Sequence, residues 1–358
     1  MTNREESLKI DRQTDRQTDR QTDRQTDRQT EHWYGIDSIK GLLIIIVFLG
    51  HVIPGVLRET YPRYIIYSFH MPLFIGISGF LIDIEKLVDM KIVLVVKKYL
   101  KRLGLPWIIA VAVFTVVQYN FNLSTITFEI IVKAYLKPYY HLWYILGFFS
   151  YILISYIFFL FFKNNRYRWV LFMLMTSIIS FISKWEVLNG TITNPYGKLI
   201  YEVVHYDFRL YNLLFLGVGL MFRNRYERKK YITTDSMIEI IRISSIVAFG
   251  IVSILFFFSY DHIEKFLYYI LNICLLIPIF FDCTKKQLPR CKTLEFIGKY
   301  SLPIYLYHVL CLNATDFFFA RGTAENYIIC YIVFILGCAL IYPFRNIKFI
   351  NEVIFGNG

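Results

Sequence analysis

Charge is scarce in this sequence. Asp, Glu, Lys and Arg make up 18% of its 358 residues, against about a quarter in ordinary soluble domains. Cysteine is rare too. The six, Cys274, Cys283, Cys291, Cys311, Cys330 and Cys338, form no CxxC pair. That spacing excludes a zinc ribbon or a disulfide framework and leaves buried structural thiols as the expectation. Residues 11–30 contain no apolar side chain at all. They lack the apolar centre that a signal peptide needs, and they cannot bury enough surface to fold.

What is abundant is apolar length. Hydrophobic residues are 56% of the chain, aromatics 18%, and mean hydropathy is +0.45. Runs of about 20 apolar residues cross a bilayer as helices, because lipid offers no partner for an open backbone. The expected fold is all-α: a polytopic transmembrane helical bundle of about ten spans. They fall near 36–57, 64–82, 103–121, 142–162, 169–183, 208–222, 239–258, 264–282, 301–319 and 326–343. The alternate loops on one side hold 21 Lys and Arg, those on the other 7. This asymmetry predicts that both termini lie inside. The net charge of +12 then belongs to inner loops facing anionic lipid rather than to a nucleic-acid surface. Trp33, Tyr34, Trp107, Trp143 and Trp169 sit near span ends, as interfacial aromatics do. Three regions follow: a disordered inner N-terminus (1–32), a transmembrane domain (33–345) and a short inner tail (346–358).

From Asp11 to Thr30 the tetrapeptide Asp-Arg-Gln-Thr recurs five times without error. The four-base unit GACA, read in triplets, encodes this tetrapeptide. A slipping GACA tract would switch the reading frame on and off, as bacteria do for exposed surface structures.

Ionisable groups inside a membrane are costly, so each marks a candidate site. The first span carries Asp37, Lys40 and His51. Eleven residues are close to three turns, or roughly 16 Å, so Lys40 and His51 share a face, with the cation inside and the imidazole outside. His70 enters the second span from the outer side, beside Pro72. Lys98, Lys101 and Arg102 form an inner basic cluster suited to phosphates. His141 and Trp143 open the fourth span from outside, and Arg209 opens the sixth. A neutral imidazole accepts a hydroxyl proton near neutral pH, as acyl transfer to a sugar requires. His205 and His308 read as structural histidines.

These segments together resemble the membrane-bound acyltransferase 3 family, in its fucose 4-O-acetylase-like and surface polysaccharide O-acetyltransferase branch. The carriers are Ile36-Asp37-Ser38-Ile39-Lys40-Gly41 through Gly50-His51, Phe69-His70-Met71-Pro72-Leu73-Phe74 with Ser78-Gly79-Phe80, His141-Leu142-Trp143-Tyr144, and Gly298 with Ser301-Leu302 to His308. They cover about 36 to 343. Lys40 and His51 match the family's basic residue, ten spacers and histidine. Of its paired arginines before a proline, Arg102 matches the second, while Tyr99 stands at the first with Lys98 beside it.

The resemblance implies an O-acetyltransferase of the bacterial inner membrane. Acetyl-CoA would be the donor substrate, and the acceptor a lipopolysaccharide, capsule or lipid-linked glycan; no metal is implied. His51, Lys40 and Asp37 would be catalytic, and Lys98, Lys101 and Arg102 would hold the donor. His70, His141, Trp143 and Arg209 would serve the acceptor. A transporter or flippase of a lipid-linked sugar shares the spans but would ignore acetyl-CoA. A glycan polymerase would place its key groups in larger outer loops.

Overall fold

Apolar runs that bury no alternating face settle as helices, and the described residues contain no strand. The structure is a computed structural model describing residues 33–53, 60–184, 208–227, 235–258, 261–316, 318 and 323–356. The tetrapeptide repeat, His205 and the disordered N-terminal region expected from the sequence lie outside these residues.

In chain order the helices are α1 (Tyr34–Val52), α2 (Tyr61–Phe80), α3 (Ile84–Val88), α4 (Ile92–Tyr99), α5 (Leu105–Gln118), α6 (Phe128–Leu136) and α7 (Trp143–Phe161). Then come α8 (Arg168–Lys184), α9 (Leu213–Glu227), α10 (Asp235–Leu255), α11 (Asp261–Thr284), α12 (Lys292–Lys299), α13 (Ser301–Asp316) and α14 (Ala324–Phe344). Polar caps start two of the short ones, α3 and α6. Asp83 accepts from the Lys86 N–H at the head of α3 (3.1 Å), and Thr127 from the Ile130 N–H at the head of α6 (3.3 Å).

Among the described residues, six helical stretches are long and apolar enough to cross a membrane: Tyr34–Val52, Ile92–Gln118, Trp143–Phe161, Ser236–Leu255, Ile263–Thr284 and Glu325–Phe344. The other four expected spans coincide with α2, α8, α9 and α13, of 20, 17, 15 and 16 residues. Two of the six face outward for most of their length. Ile240, Ile243 and Ile246 of α10, and Ile328, Ile335 and Leu336 of α14, are exposed, as side chains against lipid would be.

The third span differs most from expectation. It begins at Ile92, eleven residues before the expected 103, and runs through a π turn (Leu100–Gly104) into α5. Lys and Arg are good helix formers with long apolar stems, so the basic cluster continues the helix instead of ending it. The tail differs too. A π turn at Ile350–Ile354 folds back, Lys101 pairs with Glu352 (3.6 Å), and buried Phe355 lies 5.8 Å from the Tyr300 ring.

Glycines set the closest helix contacts. A Cβ on Gly219 of α9 would lie 2.1 Å from the Gly76 carbonyl of α2, and one on Gly79 would lie 2.6 Å from the Leu216 carbonyl. Small residues let two backbones meet where a side chain would hold them apart. A second contact joins α1 to α12, where a Cβ on Gly298 would lie 1.8 Å from the Asp37 carbonyl. At the ends of the bundle, Glu85 of α3 accepts from Arg168 (2.6 Å) and Asn224 (3.0 Å), tying α3, α8 and α9 together.

Gly219→Ala is expected to cost about 1–3 kcal/mol through overpacking. It should therefore lower the thermal unfolding midpoint of the purified chain in detergent. Gly250→Ala, on α10 with nothing within 4 Å of the added carbon, should leave the midpoint unchanged.

Candidate active site

The site forms around one face of α1. Asp37 and Lys40 lie 3.5 Å apart as an i,i+3 pair near its start. The contact of Gly41 and Gly298 presses α12 onto this turn, and the Ser38 hydroxyl accepts from the Cys291 N–H (3.1 Å). At the far end, His51 meets two other imidazoles. Its ring centroid is 5.1 Å from that of His308 and 5.9 Å from that of His141, which are 4.4 Å from each other.

Backbone carbonyls fix how two of these rings carry their protons. A carbonyl can only accept, so a ring nitrogen bonded to one must hold the hydrogen. His141 Nε2 donates to the Leu306 carbonyl (3.1 Å), and His308 Nδ1 donates to the Tyr305 carbonyl (2.7 Å). His141 Nδ1 and His308 Nε2 are then lone-pair nitrogens. Both are buried and neither has a hydrogen-bond partner among the described residues. The Tyr305 hydroxyl donates to the His141 carbonyl, closing an exchange of bonds between α13 and the residue just before α7. Trp107 Nε1 donates to the next carbonyl, Leu142 (3.1 Å), which anchors the same turn to α5.

His70 stands one ring away. Its Nδ1 donates to the Ile66 carbonyl (2.6 Å), and Tyr67 lies between it and His51, with centroids 4.9 and 6.2 Å away. Arg209 sits over the Trp143 ring at 4.0 Å. Its backbone is left-handed (φ 49°), held by the Tyr151 hydroxyl, which reaches the carbonyls of Phe208 and Arg209 at 2.7 Å each.

The Lys40 end opens into a cavity of about 290 Å³. Lys40, Lys86, Lys98 and Arg102 supply cations to its wall, Asp83 supplies one carboxylate, paired with Lys86 at 2.9 Å, and Ser78 and Ser301 supply hydroxyls. Lys101 does not line it but turns to Glu352. Between the cavity and the histidines lies an aromatic layer of Phe74, Tyr144 and Tyr305, with centroids 5.0 to 6.4 Å apart. Tyr305 touches both compartments: it lines the cavity and lies 5.0 Å from His141. Chemically, one end can hold an anionic ligand and the other can take a proton from a hydroxyl.

The structure thus brings together Asp37, Lys40, Lys98 and Arg102 at one end, and His51 and His141 at the other. Sequence reasoning missed Lys86, which hid among ordinary loop cations, and gave Tyr305 no role. It read His308 as structural, yet His308 stands inside the cluster. Tyr305 and His308 were visible as i,i+3 polar residues within an apolar helix.

A family model described as an acyltransferase domain matches residues 33–343. Nodulation protein NolL of Sinorhizobium fredii (strain NBRC 101917 / NGR234) is 44% identical over 52 residues, 13% of this chain and 14% of that protein. The chain therefore matches about a seventh of that curated relative's length. No solved structure gives a significant match.

Tyr305→Phe removes one donor from the His141 carbonyl and leaves the other, the Tyr144 N–H at 3.1 Å. The expected loss is about 0.5–1.5 kcal/mol, measurable as a lower unfolding midpoint. An unchanged midpoint would show that this bond does not hold the turn.

Proposed function

Because the chain belongs to the acyltransferase 3 family, we propose that it is a membrane O-acyltransferase that moves an acetyl group from acetyl-CoA to a hydroxyl of a cell-surface glycan. One observation carries the reading: a cation-lined cavity and a cluster of imidazoles lie at the two ends of one helix face, parted by a single aromatic layer.

In this reading the donor enters at the Lys40 end. Lys86, Lys98 and Arg102 bind its phosphates, and Lys40, held by Asp37, lies deeper along the same wall. The thioester passes the aromatic layer beside Tyr305, which touches both compartments, and reaches the imidazoles. The acceptor arrives at the His51 end, where Trp143 offers a sugar-stacking ring and Arg209 and His70 hold polar groups. His51 takes the proton from the acceptor hydroxyl, and the oxygen attacks the thioester carbonyl. The carbon–sulfur bond breaks, and the departing thiolate takes that proton from His51. The lone pairs of His141 and His308 accept from neighbouring hydroxyls of the sugar and so orient it. Proximity of this kind supplies much of the rate, because two bound reactants need no further encounter.

The excess of Lys and Arg in alternate loops supports a donor end facing the cytoplasm of a bacterial inner membrane. The perfect Asp-Arg-Gln-Thr repeat supports phase-variable expression. Reading the gene checks this: five identical twelve-base units are expected, and mixed synonymous codons would refute the slipping tract.

Wild type expressed in a strain lacking this gene should add ester-linked acetate to purified lipopolysaccharide or capsule, and His51→Ala should add none. Acetate from a membrane-inserted H51A protein would sink the assignment of His51. No acetate from either protein would favour a transporter of a lipid-linked sugar. Arg102→Ala removes one charge-assisted contact and should raise the KM for acetyl-CoA about tenfold or more.

A further inference from the structure

α13 is a partition. Ser301, Leu302 and Tyr305 face the basic cavity, while Ile304, Tyr307 and Cys311 face a second cavity of about 130 Å³. Its opposite wall is α14, through Phe334, Cys338 and Ile341. Phe355, from the folded-back turn after α14, also lines it. Its lining is almost wholly apolar, with one imidazole on it, His308. His308 is buried, with 3% exposure, and its Nε2 has no hydrogen-bond partner among the described residues.

We propose that this second cavity is an acyl-chain pocket: it receives the aliphatic tail of a short-chain acyl-CoA donor larger than acetyl. The proposal rests on the acyltransferase reading of the same site. For transfer, the thioester carbonyl must come within about 3 Å of the attacking hydroxyl and its base, which places the acyl carbon beside His51, His141 and His308. An acetyl group ends there. A longer chain must continue, and the apolar space that adjoins His308 is this cavity.

Size selects the occupant. An engineered apolar cavity of about 150 Å³ holds benzene, so the space inside this half-open pocket, about 130 Å³, takes a tail of a few carbons. A fatty or polyprenyl chain is far larger than this space. Dryness matters as well, because water beside the carbonyl would hydrolyse the donor instead of transferring its acyl group.

Gly337 offers the test. It lines the cavity, and a Cβ there meets nothing within 4 Å, so a side chain added at this position starts in open space. Coenzyme release from acetyl-, propionyl-, butyryl- and octanoyl-CoA would be measured with the full chain in membranes that contain the acceptor glycan. Wild type is expected to use butyryl-CoA and to reject octanoyl-CoA. Gly337→Phe should lower the butyryl-to-acetyl ratio of kcat/KM about tenfold or more, the worth of a methylene or two in an apolar pocket. Gly250→Phe, at an equally open position on α10, should leave the ratio unchanged.

A second readout does not depend on turnover. Butyryl-CoA should slow alkylation of Cys338 by N-ethylmaleimide, followed by mass spectrometry, and acetyl-CoA should not. An unchanged ratio in Gly337→Phe, or equal alkylation rates with both donors, overturns the pocket. A chain that releases coenzyme from acetyl-CoA but not from butyryl-CoA sinks this proposal alone. One that turns over no acyl-CoA sinks the acyltransferase reading with it.

Discussion

The exchange of hydrogen bonds between α13 and the turn before α7 is the constraint on which the site depends. Tyr305 donates to the His141 carbonyl, His141 donates to the Leu306 carbonyl, and His308 donates to the Tyr305 carbonyl. Each bond uses a backbone acceptor, so side-chain position and ring tautomer are set together. Deep in an apolar bundle an unpaired polar group is costly, which makes the arrangement rigid where water would otherwise loosen it. His51 comes to the cluster on α1, from the other side.

Rigidity on this side is matched by glycine on the other. The contacts of Gly79 with α9 and of Gly298 with α1 bring backbones to distances no other residue allows. They hold α2 and α1 at fixed depth against the rest of the bundle. The face with Lys40 at one end and His51 at the other therefore meets α13 at a set height. The basic cavity, the aromatic layer and the imidazoles fall in line because three helices are locked, two by missing side chains and one by hydrogen bonds.

Much of this was legible in the sequence, for physical reasons. Helical character follows from apolar length, and the shared face of Lys40 and His51 follows from a period of 3.6 residues. His141 was legible as an imidazole at the mouth of an apolar run. Other features depend on tertiary packing. Whether His308 meets His51 is decided by how α13 lies on α1, which no local pattern records. The π turn after Tyr99 changes the helix phase, so the sequence grouped Lys101 with Lys98 and Arg102, whereas the fold turns it to Glu352. Lys86 looked like any loop cation until α3 laid it along the cavity. The folded-back turn at Ile350–Ile354 had a visible sign, an apolar run ending in Phe355, within a segment short enough to pass as a tail.

The aromatic layer also bears on electrical insulation. A file of water running from the cations of the Lys40 end to the imidazoles of the His51 end would be a proton wire, since imidazole relays protons readily. Phe74, Tyr144 and Tyr305 fill that gap with packed rings, and the second cavity beside it is apolar. The three rings thus stand between two polar compartments that lie within one ring's thickness of each other.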